Sequence, residues 1–564
     1  MIFYPFRYIW WLLSSLRRRI GKAPDYVLYV LETALPTLPD PPGPFWQRFV
    51  STPRMSIKEL GEQLEAIAHD PRTKGVVLHL RPVAMPMASL QDLRELVSTL
   101  RAAGKRVIAW APFYTTGTYY LACACDEILL MPAGLVRPLG FSSMGVFLAE
   151  GLARIGVKAD FVQVSPYKTA ADPLTRSRMS PEMREQITWL LDSNHKQLVE
   201  AIAESRHIEP DAAAKLVDGS PYTDSDALEQ RVVDGVLPEE KLPDHIGSGA
   251  ERARIATWEQ ARRRLPSRPP TTGRGTYVAI MRVEGTIVDG RNGRLPITPP
   301  IDLPLVGEDR AGDLSVVPLA RQVATDKRAA AAVLFVNSRG GSATASEAMR
   351  QAIELIAKRK PLVIAMGAMA ASGGYLVSTP GQWIVARPGT LTGSIGVLTG
   401  KLVTGGVFSK LQVNRDTIAF GKHVTLESDD DPFTDEERTI VHHEINRMYE
   451  LFLEAVGTSR RMTRDEVEPV AGGRVWTGSQ ALERKLVDEL GGLDAAVRKA
   501  RSLAGLDASA PAREVKAPRK PVPPRAVPTS AGYAGYAGYV LEGLGLLSRA
   551  PALAVMEFLP SDIS

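Results

Sequence analysis

Short apolar runs alternate with helical patterns along most of the chain. VVLHL (76–80), RVIAWA (106–111) and EILLM (127–131) are continuous runs of the length and composition of buried strands. Between the first two, LQDLRELVSTLRAAG (90–104) spaces its apolar residues as a helix does. The same order returns later. AAVLFV (331–336), LVIAMG (362–367) and WIVA (383–386) read as strands, and ASEAMRQAIELIAKR (345–359) as a helix. This alternation predicts right-handed β-α-β units whose parallel strands are buried on both faces.

The two stretches are repeats of one another. KGVVLHL (74–80) answers AAAVLFV (330–336), and VIAWAPFYTTGTYYLACACDEILLMP (107–132) answers VIAMGAMAASGGYLVSTPGQWIVARP (363–388), at one constant offset of 256 residues. The sequence therefore predicts an α/β tandem repeat, with similar domains at 55–247 and 277–505. Each is long enough to bury a core of its own. Residues 248–276 read as a linker, basic and Pro-containing in RRRLPSRPPTTGRG (262–275). Residues 506–564 read as a Pro-rich linker followed by a tail that opens on AGYAGYAGY (531–539) and continues as VLEGLGLLSRAPALAVMEFLP. That tail is mildly apolar, and packing, association and lipid contact are all open to it.

Residues 1–54 form an N-terminal apolar and basic segment. MIFYPFRYIWWLLSSL (1–16) precedes Arg17, Arg18, Arg19 and Lys22. Its apolar part is shorter than the roughly 20 residues a spanning helix needs, and Pro5 and Arg7 interrupt it. A small-residue cleavage site is lacking, so it makes a poor signal peptide. Aromatic residues beside a basic cluster suit an interfacial anchor on anionic lipid, with packing against the protein's own body as the alternative.

Composition narrows the function. The chain has 564 residues, 45% hydrophobic and 23% charged, in the ordinary globular range. A net charge of +5 over this length gives no argument for nucleic acid. The two cysteines, Cys123 and Cys125, stand too close for an ordinary disulfide, and no HExxH pattern occurs among the 8 histidines. No metal is expected.

Three places carry candidate chemistry. NSRGGSATASE (337–347) follows a strand, and Gly340 and Gly341 let backbone N–H groups face a ligand ahead of a helix N-terminus. Its counterpart in the first half has Ala84 and Met85. AASGGY (370–375) puts Ser372 at a strand-to-helix corner followed by Gly373, where the first half has Thr116 and Gly117. This is not GxSxG, and no His–Asp pairing accompanies it, so a Ser-His-Asp triad is unsupported. A helix cap is the plain reading of such a serine. VSPYKTAADPLTRSRMSPE (164–182) sets Lys168 in a polar loop, which read alone is one solvated cation among 68 Lys and Arg. A serine without histidine needs another base, and a lysine serves if burial lowers its pKa toward 7.

Together these stretches resemble signal peptide peptidase A, the S49 serine peptidases, in their long two-domain form, over about residues 55–505. NSRGGSATASE is similar to that family's NSPGGS motif, ASGGY to its nucleophile motif, and TLTGSIGV (390–397) to its next characteristic segment. YKTAADPLTRSRMSPE is similar to the stretch carrying its general-base lysine. The resemblance implies tandem ClpP/crotonase-like domains and a Ser-Lys dyad. Ser372 would be the nucleophile and Lys168, lent by the other half, the base. Gly341 and Gly373 would supply oxyanion-hole N–H groups, and Ser394 would orient the lysine. It further implies a serine endopeptidase for short apolar peptides such as cleaved signal peptides. The enzyme would need no cofactor, associate with a membrane (the bacterial inner membrane) and form a homo-oligomer, a tetramer in the long form. Arg339 stands where the family usually has Pro, and Lys422 in FGKHVTLES is a rival base, since short-form relatives carry serine and lysine in one domain. Two other functions share this fold: a non-cleaving oligomeric scaffold that binds peptide or membrane, and a crotonase-type acyl-CoA enzyme.

Overall fold

The apolar runs become strands and the periodic segments helices. A computed structural model describes residues 3–19, 22–40, 54–248, 251–265, 275–293, 309–516 and 553–555. The described residues divide into two compact units, one within 1–142 and 191–275, the other within 143–190 and 276–560.

In the first unit a sheet runs Tyr222–Thr223, Glu127–Val136, Arg106–Tyr114, Gly75–Leu80, Tyr26–Leu31, Ile255–Thr257, with Gly235–Val236 also paired to Glu127–Val136. Its four longest strands are mutually parallel. Every residue of Gly75–Leu80 is buried, as expected of a parallel strand covered on both faces. Two strands fall in segments read as non-domain from the sequence. YVLYVL (26–31) lies inside the N-terminal segment yet pairs over six residues with Gly75–Leu80, and Ile255–Thr257 lies inside the linker. The domain thus begins earlier than the repeat suggests, because the repeat shows only where the halves still look alike.

The second unit holds the corresponding parallel series, Trp383–Ala386, Leu362–Ala371, Ala329–Ser338, Tyr277–Glu284, extended at the far edge by Ala512–Glu514. Leu362–Ala371 also pairs, through its last three residues, with Leu391–Gly393. Helices Asp313–Thr325, Ala343–Ala357, Asp435–Arg460 and Leu493–Leu503 bury Val323, Met349, Ile353, Phe452 and Ala500.

This unit also contains a second sheet, in the order Arg310–Gly312, Thr286–Val288, Gly340–Ser342, Leu553–Val555, Leu398–Val403, Lys158–Gln163. Its outer strand comes from the first sequence repeat. Lys158–Gln163 pairs antiparallel with Leu398–Val403 through six positions, from Gln163 opposite Leu398 to Lys158 opposite Val403. The stretch that carries Lys168 is therefore built into the unit that carries Ser372. The compact units cut across the sequence repeat because a long-range antiparallel ladder, which leaves no mark on local periodicity, outweighs chain proximity.

Candidate active site

The strand Leu362–Ala371 ends at Ser372, and the chain turns at once into the short helix Gly373–Leu376. Ser372 takes φ 55° and ψ −118°, outside the wells an L-residue favours. Holding it there costs on the order of 1–3 kcal/mol, which its surroundings must offset. Its N–H donates to the Gly393 carbonyl at 2.8 Å, tying the corner to the neighbouring strand Leu391–Gly393. That strand leads to Ser394, also at positive φ (50°), whose N–H donates to the Arg474 carbonyl at 2.7 Å. Two adjacent strands thus each lead directly into a serine held at positive φ.

Lys168 enters from the loop after Lys158–Gln163 and is 1% exposed. Its Nζ lies 2.7 Å from Ser372 Oγ, 3.0 Å from the Ser394 carbonyl oxygen and 3.0 Å from Ser394 Oγ. Burial pushes its pKa down to about 7. A neutral amine has two N–H bonds and one lone pair. With the two N–H groups given to the Ser394 carbonyl and hydroxyl, the lone pair is left for the proton of the Ser372 hydroxyl. Such an arrangement can accept that proton near neutral pH.

Beside the serine, Gly340 and Gly341 both hold positive φ, 102° and 151°. A Cβ on Gly341 would stand 2.0 Å from the Ile287 carbonyl oxygen, so only glycine lets this strand lie against Thr286–Val288. A Cβ on Gly373 would stand 3.4 Å from the Gly341 nitrogen, which puts the two residues side by side. Gly373 is the first residue of its helix, and Gly341 precedes the helix Ala343–Ala357, capped by Ser342 Oγ accepting from the Ala345 N–H at 3.2 Å. Backbone donors at such positions can hold a developing oxyanion. Arg339 is half-buried between Ala329–Ser338 and Gly340–Ser342.

The sequence of the site now meets its relatives. The profile of peptidase family S49 matches residues 99–246 and 354–507. The chain is 32% identical over 449 residues to Protease 4 of Haemophilus influenzae, covering 77% of this chain and 71% of that one. The chain belongs to peptidase family S49. It is also 29% identical over 471 residues to the chloroplastic serine protease SPPA of Arabidopsis thaliana, covering 80% of this chain and 66% of that protein. A ClpP1 mutant from Listeria monocytogenes is a structural neighbour at 12% identity and TM-score 0.24, spanning 39% of this chain and 94% of its own, a likeness too slight to argue from. As an S49 member the chain is a serine-type peptidase, and the tandem α/β architecture expected of the long form is present.

Of the S49 residues expected from the sequence, Ser372, Lys168 and Ser394 are brought within hydrogen-bonding distance, with Gly341 and Gly373 adjoining. Lys422 is not among them. Its side chain is 69% exposed and ion-paired with Glu436, in a stretch where Ile418 and Phe420 also face solvent. The rival base thus stands apart from the Ser372 cluster, held by Glu436 at the surface. Burial raises the Cys123 thiol to about 11 and Cys125 higher still, so neither offers a thiolate near pH 7.

Two supports of the lysine escaped the sequence reading. Gln186 is buried and donates through Nε2 to the Tyr167 carbonyl at 2.9 Å, while its Oε1 accepts from the Val475 N–H at 3.0 Å. It clamps the residue before Lys168 to the strand Val475–Thr477. Gly473, at φ 86°, passes so close that an added Cβ would stand 2.7 Å from Lys168 Cα. The Gly-Gly of AGGRVWTG (471–478) was the available signal. Among the described residues no helix is long and apolar enough to cross a membrane.

Proposed function

We propose that this S49 peptidase works through a Ser372–Lys168 dyad. The observation that carries the reading is the 2.7 Å approach of a fully buried lysine amine to a serine hydroxyl at a strained corner. Ser372 Oγ attacks the substrate carbonyl carbon as its proton passes to Lys168 Nζ. Gly341 and Gly373 N–H groups hold the oxyanion, and Ser394 holds the amine in line. Lys168 then gives the proton to the leaving amine nitrogen as the C–N bond breaks, leaving an acyl-serine. Water attacks the ester, its proton again taken by Lys168, and Ser372 is restored with release of the carboxylic acid. Each oxyanion donor is worth about 3 kcal/mol in such sites.

The substrates of this reading are short, apolar, extended peptides of the kind left after signal-peptide removal. Support comes from the resemblance to the long two-domain form. Membrane-surface association is part of the same proposal, supported by exposed Phe6, Trp10, Leu13 and Leu16 on the helix Phe3–Arg19 with its arginine-rich end. So is homo-oligomerisation, as a tetramer, supported by exposed Met144, Ile418 and Phe420.

A serine-directed phosphonate tests the chemistry. The proposal expects labelling at Ser372 that disappears in Ser372→Ala; labelling elsewhere, or none, would return the scaffold and acyl-CoA readings.

A further inference from the structure

The residues that hold Lys168 and Ser394 meet at Arg474. It leads into the strand Val475–Thr477, which runs antiparallel to Leu391–Gly393, with Val475 opposite Gly393 and Trp476 opposite Thr392. The Arg474 carbonyl takes the Ser394 N–H at 2.7 Å, so its backbone fixes the residue that accepts from the lysine amine. Its guanidinium carbon lies 4.0 Å from the ring centre of Tyr167, the residue before Lys168, and Nη1 donates to the Ala471 carbonyl at 3.2 Å. Arg474 thus touches the chain neighbour of the amine with its side chain and the amine's acceptor residue with its backbone.

That contact opens a series of stacked rings. Tyr167 stacks on Trp189 with ring centres 6.3 Å apart and planes at 26°, and Trp189 stacks on Trp476 at 4.9 Å and 14°. The rings come from the Lys168 loop, the helix Pro181–Arg206 and the strand Val475–Thr477. Their polar atoms are bonded: Trp189 Nε1 to the Val475 carbonyl at 2.8 Å, Trp476 Nε1 to the Val470 carbonyl at 3.0 Å, and the Tyr167 hydroxyl to Glu185 at 2.6 Å. Rings so tied keep one orientation. The series also reaches the serine. A Cβ on Gly393 would stand 2.9 Å from Trp476 Cδ1, and the Gly393 carbonyl is the acceptor of the Ser372 N–H. Trp189 packs against a small buried cluster that includes Ala371, the residue before Ser372.

We propose that the stack of Arg474, Tyr167, Trp189 and Trp476 is a positioning element for the dyad, setting the Lys168 amine against the Ser372 hydroxyl and closing it off from water. The inference rests on the peptidase reading above. A lysine stem is flexible, so an amine-to-hydroxyl approach of 2.7 Å persists only if the backbone on both sides is held. The stack holds both: Tyr167 beside the lysine, Gly393 and Arg474 behind the two serines. A planar guanidinium lies flush on a ring, which suits arginine to the end of the stack. Burial is what lowers the Lys168 pKa, so loosening the stack admits water and raises it again.

The test measures kcat and KM across pH on a short apolar fluorogenic peptide, with phosphonate labelling of Ser372, in full chains carrying Arg474→Ala, Tyr167→Ala, both changes, or Tyr167→Phe. Each alanine variant should lower kcat about tenfold, keep KM within about twofold and move the activity midpoint up by about one pH unit. The double variant should be no worse than the poorer single one, since the two side chains act through one contact. Tyr167→Phe keeps the ring and should restore the wild-type midpoint. Should Arg474→Ala fail to fold, Arg474→Gln, which keeps much of the stem and loses the charged plane, carries the same expectation. Unmoved midpoints in the Arg474 and Tyr167→Ala variants, losses that multiply in the double variant, or a raised KM at unchanged kcat would overturn the inference. A wild-type Ser372 that no phosphonate labels would instead sink the peptidase mechanism, so the two failures are distinguishable.

Discussion

Lys168 Nζ lies 2.7 Å from Ser372 Oγ although 204 residues separate them in the chain. The antiparallel ladder between Lys158–Gln163 and Leu398–Val403 closes that distance, and the Gln186 clamp and the tight passage of Gly473 fix the loop between ladder and amine. The two residues of the proposed dyad thus lie in one compact unit, on segments from both sequence repeats.

Replacing the two candidate bases separates them directly. Lys168→Ala should lower kcat/KM for a peptide substrate by about 10³-fold. Lys422→Ala should leave it within about twofold, since its exposed ion pair with Glu436 contributes little. The reverse order would return Lys422 as the base.

The buried amine also leaves a stability signature. Its pKa is about 7 folded against 10.5 for the ordinary amine, so between those values the unfolded chain holds one more proton than the folded one. Stability from this group is therefore complete only above about pH 10.5 and is lost progressively as pH falls to about 7. Lys168→Met removes the penalty. It should raise stability by on the order of 2–4 kcal/mol at pH 7 and by less at pH 9.5. Chemical denaturation at both pH values measures this, and a gain independent of pH would contradict it.

Gln186 should act through the lysine without touching substrate. Gln186→Ala frees the Tyr167–Lys168 backbone from Val475 and admits water to the amine. About a tenfold loss in kcat is expected, with the pH midpoint of activity moving upward toward an ordinary lysine. A loss of activity at an unmoved midpoint would make Gln186 merely structural.

Much of this was legible in the sequence, and the limits are physical. Runs such as GVVLHL announce themselves because parallel strands buried on both faces are apolar throughout. Ser372, Gly341 and Lys168 could be singled out because the repeat shows where the halves differ, and the structure places the three close together. YVLYVL (26–31) was missed because it lies upstream of the detectable repeat, beside an aromatic, basic segment that drew it into the reading of an anchor. The transfer of 143–190 to the serine's unit, and the pairing of 553–555, depend on long-range ladders with no local period. The positive φ of Ser372 and Ser394 has no compositional sign, since neither is glycine.

The helix Phe3–Arg19 offers a separate check. Deleting residues 1–20 should move the protein from vesicles containing anionic lipid to the soluble fraction, and raised salt should weaken binding of the full chain. Equal partition of both chains would contradict surface anchoring.

The most direct test of the dyad is the pH dependence of phosphonate inactivation at Ser372. If a desolvated Lys168 takes the serine proton, the rate rises with pH through a single midpoint near 7 and levels off above about pH 8.5, and Lys168→Ala abolishes the rise. A rate still climbing past pH 9 toward an ordinary lysine midpoint, or a profile untouched by Lys168→Ala, would contradict the account.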